Sequence, residues 1–376
     1  MKIVLVIDQF DDANNGTTIS ARRFAAALRE HGNEVRVIAT GKPADYKYAV
    51  RQMRFFPVVE HLITSQGMRL AIPNRHVFEK AAAWADVVHF LMPSPLAVMG
   101  LRHVEKLGIP HTAAFHCQPE NITFTLHMGN SKRVNDFVYN RFRDTFFNRF
   151  THIHCPSNMI AEQLRLHGYT AQLHVISNGI SPQYVYGKRP KEDWMADMFN
   201  VLMVGRYAGE KRQDVLIAAC AKSRHAEDIQ VILAGKGPLE KKYRQLAEQL
   251  PNPIVMDFYD PARLLDILHM ADLYVHTSDA EIEAMSCMEA FACGLVPVIA
   301  NSPRSATPQF ALDERSLFPA GDASALAERI DWWIEHPEER REMELRYAAH
   351  AKQYALDESI RQTEEMFRQA IAEQRG

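Results

Sequence analysis

Four charged side chains in the second half of the chain have the types and spacing to hold a phosphorylated polyol. Arg206 follows Gly205 at the end of the apolar run NVLMVGR, and Lys211 comes five residues later. A glycine there lets the chain turn sharply. The cations then stand over the carboxyl edge of a sheet, where ligands of open α/β sheets bind. Arg supplies a planar fork and Lys a point charge, a suitable pair for a diphosphate, although two solvated loop cations would leave the same local sequence. The segment SDAEIEAMSCMEA, Ser278 to Ala290, adds a helix start near Ala284. The backbone amides of Ala284, Met285 and Ser286, with the positive end of the helix dipole, face the same edge and favour a phosphate. Glu289 lies four residues after Met285 on the same helix face and projects toward that end, where a carboxylate accepts two neighbouring hydroxyls such as those of a ribose. Glu281 stands just before the helix. Capping accounts for Asp279, Glu281 and Glu283. It does not account for Glu289, which sits among Met288, Ala290, Phe291 and Ala292.

A third local signal is Gly235-Lys236-Gly237-Pro238 after the run QVILA. Glycines between a strand and a helix permit close approach of a ligand, but no GK[ST] follows and the turn is not a Walker loop.

These residues need a sheet edge to stand on, and the chain supplies two. Short apolar runs alternate with amphipathic stretches throughout, the pattern of parallel sheets covered by helices. KIVLVI, EVRVIAT, DVVHFL, HTAAFH, HIHCPS and LHVIS read as strands of a first Rossmann-type unit, and SARRFAAALREH as a helix stopped by Gly32. NVLMVGR, QVILAGKG, PIVMDFY, DLYVHTS and VPVIAN read as strands of a second, with helices VLIAACAKS, LEKKYRQLAEQL, PARLLDILHMA and MSCMEAFACG between them. Ser181 to Asn200 breaks the pattern with two prolines and clustered charges and reads as a linker. The tail from Asp331 is helix-rich and charged.

Composition fits this reading. The chain has 376 residues, 47% hydrophobic and 24% charged, which excludes disorder and makes two domains the expectation. No apolar run approaches the roughly 18 residues of a membrane-spanning helix, and IVLVI near the N-terminus is too short for a signal peptide. A cytoplasmic protein is expected. Five cysteines without a CxxC pair indicate neither a disulfide framework nor a zinc ribbon. The charge is asymmetric: residues 1 to 175 hold 20 Lys and Arg against 14 Asp and Glu, or +6, and residues 176 to 376 hold 23 against 32, or −9. Either the halves meet different partners or a mixed surface is partitioned by chance.

Glu281-x7-Glu289 followed by AFACGLVPVIA resembles the E-x7-E motif of the retaining family-4 glycosyltransferases, whose fold is GT-B. Gly205-Arg206 with Glu210-Lys211 is similar to their GR…EK diphosphate clamp, and LAGKGP to their nucleobase-side turn. Gly16-Thr17-Thr18, the helix after it and Ser177-Asn178-Gly179 follow in family order, so the resemblance spans essentially the whole chain. It implies an α/β protein with two Rossmann-like domains facing across a cleft: an acceptor domain over 1–182, a nucleotide-sugar domain over 183–355, and a helix over 356–376 crossing back to the first. It implies that Arg206 and Lys211 hold the leaving diphosphate, that Ala284, Met285 and Ser286 assist, and that Glu289 binds the ribose. Gly16, with Thr17 beside it, lies in the loop approaching the donor phosphates. Glu281 contacts the transferred sugar, and His116 lines the sugar pocket or meets the acceptor. A front-side reaction, in which the leaving phosphate takes the acceptor's proton, needs no separate nucleophile and rests on positioning and electrostatics. Where the family often has Gly-Phe-Gly, this chain has Ile282-Glu283-Ala284, a departure in the loop that lines the hexose site. Asp279-Ala280-Glu281 only superficially resembles a DxD pair, so no metal and no cofactor is expected beyond the donor, read as UDP-glucose.

The acceptor is read as a membrane lipid such as diacylglycerol or a surface glycan, with a soluble acceptor left open. Lys47 to Phe56 and Lys132 to Phe150 mix basic and aromatic residues and could lie on an anionic leaflet at the inner face of the membrane. The aromatics could equally be core. Nucleic-acid binding is disfavoured, since the basic excess is modest and no recognition module appears. A phosphorylase or epimerase on the same fold and a catalytically silent nucleotide- or membrane-binding subunit are the alternatives.

Overall fold

The computed structural model describes residues 1–11, 16–57, 60, 63–64, 67–125 and 128–375. The chain divides into two compact units. One comprises Met1–Thr123, His127–Asn178 and Leu356–Gly376, the other Phe124–Leu126 and Gly179–Ala355.

Among the described residues, the first unit holds a parallel sheet of β1 (Lys2–Val6), β2 (Glu34–Thr40), β3 (Lys47–Val50), β4 (Val87–Phe90), β5 (His111–Ala114), β6 (His152–Cys155) and β7 (Gln172–Val175) in the order β3-β2-β1-β4-β5-β6-β7. The order reverses direction between β1 and β4, the switch point of a doubly wound sheet. β1 is buried at four of its five positions because helices cover both faces, which is why the sequence reads there as an unbroken apolar run. The first helix, Gly16–Glu30, begins four residues earlier than the amphipathic pattern indicates and turns Phe24, Ala25 and Leu28 inward. Gly32 ends it at φ 83°, a conformation that favours glycine. The last helix, Leu356–Arg375, contributes Leu356, Ile360, Met366 and Phe367 to this unit's core.

β3 was not anticipated. Lys47 opens it, is buried, and its ammonium lies 2.6 Å from an oxygen of Asp11, so Lys47 is withdrawn from the basic surface expected over Lys47 to Phe56. Phe56 at the far end of that stretch is 84% exposed. The Lys132 to Phe150 stretch divides in the same way. In the helix Lys132–Thr145, Phe137 points outward at 67% exposure, while Phe146, Phe147 and Phe150 are core.

The second unit holds, among the described residues, β8 (Phe199–Val204), β9 (Ile229–Ala234), β10 (Val255–Asp257), β11 (Leu273–His276), β12 (Pro297–Asn301) and β13 (Leu317–Pro319), all parallel, in the order β10-β9-β8-β11-β12-β13. Its switch point falls between β8 and β11. Residues 181 to 200, read from sequence as a linker, are folded onto this unit: Met195 is fully buried in its core, Lys191 pairs with Asp272 at 2.7 Å, and Glu192 chelates Arg263. No helix among the described residues is long and apolar enough to cross a membrane.

Candidate active site

The topology of the second sheet decides which residues meet. β8 and β11 are neighbours, with Tyr274 opposite Leu202, so the loops leaving their carboxyl ends share one edge at the switch point. The loop after β8 carries Arg206, Glu210 and Lys211. The loop after β11 carries Asp279 and Glu281 and leads into the helix Met285–Ala292. Thr277 ties the two loops together, its hydroxyl donating to the carbonyl of Lys211 at 2.8 Å.

Lys211 and Glu281 form an ion pair within this arrangement, Nζ against Oε1. The same carboxylate oxygen receives Nε2 of His276 at 3.1 Å. Burial opposes ionisation of Glu281, but the Lys211 charge and the hydrogen bonds from His276 and Lys211 outweigh it and hold the carboxyl well below the usual carboxylate range. Behind His276, Nδ1 lies 3.3 Å from the Tyr274 hydroxyl. That hydroxyl is 3.1 Å from Oγ of Ser286, which donates to the carbonyl of Val204 at 3.3 Å. Tyr274 and His276 alternate along β11 and so project to one face of the sheet. Beside this chain, Arg206 pairs with Glu210 at 2.8 Å, and Arg212 reaches Asp279 at 3.2 Å.

Capping is not what the acidic cluster does. The helix opens at Ala284 with no side-chain cap and no acid in its first turn. Asp279 and Glu281 turn instead to cations of the β8 loop. Ala284 adopts φ 67° and ψ 70°, and Arg212 φ 55° and ψ 40°, the two left-handed non-glycine residues among those described. Ala284 stands where the family often has its second glycine, so the need at this position is for a left-handed turn, which alanine meets at a cost of about 1–2 kcal/mol.

The glycine turn after β9 packs against the backbone of the loop after β8. A Cβ on Gly235 would lie 2.0 Å from the carbonyl oxygen of Gly205, and one on Gly237 would lie 2.5 Å from that of Tyr207. The close approach is made by the backbone of the Arg206 loop. Tyr207 N–H donates to Lys236 and Leu239 N–H to Tyr207, which fixes that loop on the sheet.

Glu289 is buried within its helix, 7% exposed, and Met285 and Ser286 form the first turn. Gly16 starts the first helix at the surface, with Thr17 half-buried. Ser20 of that helix donates to Asn178 at 2.6 Å, joining two of the segments that matched in family order. His116 follows β5 and is buried against His154, ring centroids 5.2 Å apart and edge to face. Burial, with His154 and His89 nearby, pushes its proton affinity well down, so it is a neutral imidazole. Gly16, Thr17 and His116 belong to the first unit and the clamp residues to the second. Sequence reading missed His276 and Tyr274 because both look like filler in a buried strand. Their spacing of two residues, with a glutamate five after the histidine, was the available signal. No group of three or more His, Cys, Asp and Glu side chains among the described residues is placed to hold a metal ion.

Residues 188–350 match the profile of glycosyl transferases group 1, and residues 14–184 that of Glycosyltransferase Family 4. A GDP-mannose-dependent alpha-(1-6)-phosphatidylinositol dimannoside mannosyltransferase of Mycobacterium tuberculosis is 22% identical over 91% of this chain and 90% of its own length. Among solved structures, sucrose-phosphate synthase from Thermosynechococcus elongatus superposes with a TM-score of 0.80 at 17% identity over 99% of both chains. Anabaena HepE in complex with UDP and glucose gives 0.75 at 17% identity over 98% of this chain and all of that one. Both likenesses show the fold.

Proposed function

Because this chain belongs to the family-4 glycosyltransferases and has their GT-B fold, we propose that it moves glucose from UDP-glucose to a membrane lipid such as diacylglycerol or to a surface glycan, without a metal and with retention at the anomeric carbon. The observation that carries the reading is the Lys211–Glu281 ion pair at the switch point of the second sheet, with Arg206 on the same loop as Lys211. Two cations and a helix start at one edge suit a departing diphosphate. A carboxylate ionised among them suits the hydroxyls or the developing positive charge of a sugar.

In this reading Arg206 and Lys211 neutralise the leaving phosphates, and the amides of Ala284, Met285 and Ser286 add the helix dipole. Glu289 holds the ribose, and Glu281 meets the hexose. Gly16, Thr17 and His116 serve from the first unit, His116 as a neutral hydrogen-bonding group. The leaving phosphate takes the acceptor's proton, so the protein contributes position and field rather than a nucleophile.

The lipid acceptor draws support from the phosphatidylinositol dimannoside named for the mycobacterial relative and from the exposed Phe137 beside Lys132, Arg133 and Arg141. These would seat the first unit on the inner leaflet as a peripheral protein. That relative's name also favours a second donor, GDP-mannose. A screen of UDP and GDP release from nucleotide sugars, with and without diacylglycerol vesicles and with EDTA, tests the reading. Release from UDP-glucose that rises with lipid and ignores EDTA is expected. Release from GDP-mannose alone replaces the donor, and no release from any donor brings forward a silent binding subunit.

A further inference from the structure

His276 is held at both ring nitrogens, and each contact leads to a different part of the site. Nε2 faces Oε1 of Glu281 at 3.1 Å, and an ionised carboxylate only accepts, so that nitrogen carries the proton. Nδ1 then accepts, and it lies 3.3 Å from the Tyr274 hydroxyl, whose one proton goes either to Nδ1 or to Oγ of Ser286, 3.1 Å away in the first turn of the helix Met285–Ala292. Ser286 ends the chain on the carbonyl of Val204, the last residue of β8. The line Glu281–His276–Tyr274–Ser286–Val204 therefore spans β11, the helix start and the strand that feeds Arg206 and Lys211. His276 and Tyr274 are both fully buried, so the ring has no water to turn toward.

Glu281 has two partners on one oxygen, and they differ in kind. Lys211 is a flexible cation that a bound diphosphate also attracts, and engaging the diphosphate draws it from Glu281. His276 lies on a strand and stays. From this geometry, and resting on the transferase reading above, we infer that His276 is a positioning residue, which keeps Glu281 aimed at the donor sugar once the diphosphate has taken Lys211. Tyr274 and Ser286 fix the ring so that this aim is set by β8 and the helix start together.

The test uses full-length protein and the donor that the wild type turns over. Gln at 276 reaches with an amide N–H to the place of Nε2, whereas Phe keeps the ring volume and donates nothing. H276F is expected to lower kcat about 10- to 100-fold with donor KM changed by no more than about threefold, and H276Q to recover most of the loss. A kcat for H276F near the wild type, a loss confined to KM, or H276Q as impaired as H276F overturns the assignment. If H276F does not fold, Y274F serves, since it removes one hydroxyl and keeps the ring; a kcat drop of about 3- to 10-fold is expected, and an unchanged kcat overturns the anchoring. A separate readout distinguishes failure of the transferase reading. If the wild type turns over no donor, the 15N spectrum of the His276 ring still reports the contact. The proton is expected on Nε2, with a resonance that moves in E281Q; a resonance indifferent to E281Q overturns the pairing.

Discussion

Lys211 and Glu281, seventy residues apart in the chain, form an ion pair in which both side chains are largely covered, 21% and 10% exposed. Two residues that the proposed function gives to different parts of the donor thus neutralise each other. The Glu281 carboxylate keeps the Lys211 ammonium from standing largely buried and uncompensated. Under the proposed function, donor binding is then an exchange of anions at Lys211.

That exchange gives opposite signs for two neighbouring variants. Glu281→Gln keeps the shape of the side chain and removes its charge. Turnover is expected to fall about 100-fold or more, while affinity for UDP, measured by calorimetry, holds or rises because Lys211 is released. Full turnover in this variant would remove Glu281 from the site.

Arg206→Ala and Lys211→Ala are expected to weaken UDP binding by about 10- to 100-fold each, the worth of a charge-assisted hydrogen bond. Titration calorimetry at low and high salt checks this, the wild type losing more affinity to salt than either variant. Wild-type affinity in either variant takes that residue out of the clamp.

The glycine turn after β9 should be intolerant for reasons of packing. Gly235→Ala and Gly237→Ala are expected to destabilise the second unit by about 1–3 kcal/mol or more. Gly209→Ala, whose Cβ meets nothing within 4 Å, is the neutral control. Urea midpoints at constant slope measure all three. Equal midpoints would mean that the β8 loop has room to move away.

Stability should fall with acid. His89 and His154 are buried neutral, with pKa values pushed by burial down to about 3 and about 4 from an ordinary 6.5, and His116 follows the same direction. His174 is likewise pushed by burial down to about 4, so below 6.5 the unfolded chain binds four protons that the native state refuses, and stability is lost as pH falls from 6.5 toward 4. Asp8 acts in the opposite sense. Burial raises its pKa from 3.8 to about 6, against the hydrogen bonds from Ser94 and Ala71, so between those values the native state holds a proton that the unfolded chain does not. For these five groups the net uptake on unfolding near pH 5 is about three protons, a loss of roughly 4 kcal/mol per pH unit. Denaturant titrations at pH 7, 6 and 5 check it, and Asp8→Asn should steepen the slope by about one proton. A flat profile would show the histidines accessible to protons.

Membrane association, if it follows the outward face of the helix Lys132–Thr145, should depend on Phe137. Sedimentation with vesicles containing anionic lipid is expected to lose most of the binding in Phe137→Ser and to weaken with salt. Binding that ignores lipid charge and survives Phe137→Ser rejects this face.

The sequence by itself determined the repeating strand-and-helix order, the two sheets and the place of the charged residues at strand ends, because burial on both faces of a parallel sheet imposes apolar runs that need no partner to be read. It also marked Arg206, Lys211, Glu281 and Glu289. What only the tertiary structure decided is which of these touch. β8 and β11 are made neighbours by strand order, which local periodicity does not carry, and that adjacency joins Lys211 to Glu281, while the turn after β11 brings His276, which reads in sequence as a core residue, onto the same carboxylate. The same holds for Lys47, which charge alone places on a surface and strand pairing buries beside Asp11, and for Gly235 and Gly237, whose small size answers to a backbone from another loop. Local propensity fixes elements, and contacts between residues distant in the chain fix chemistry, since a side chain's partners are set by packing that no window of sequence contains.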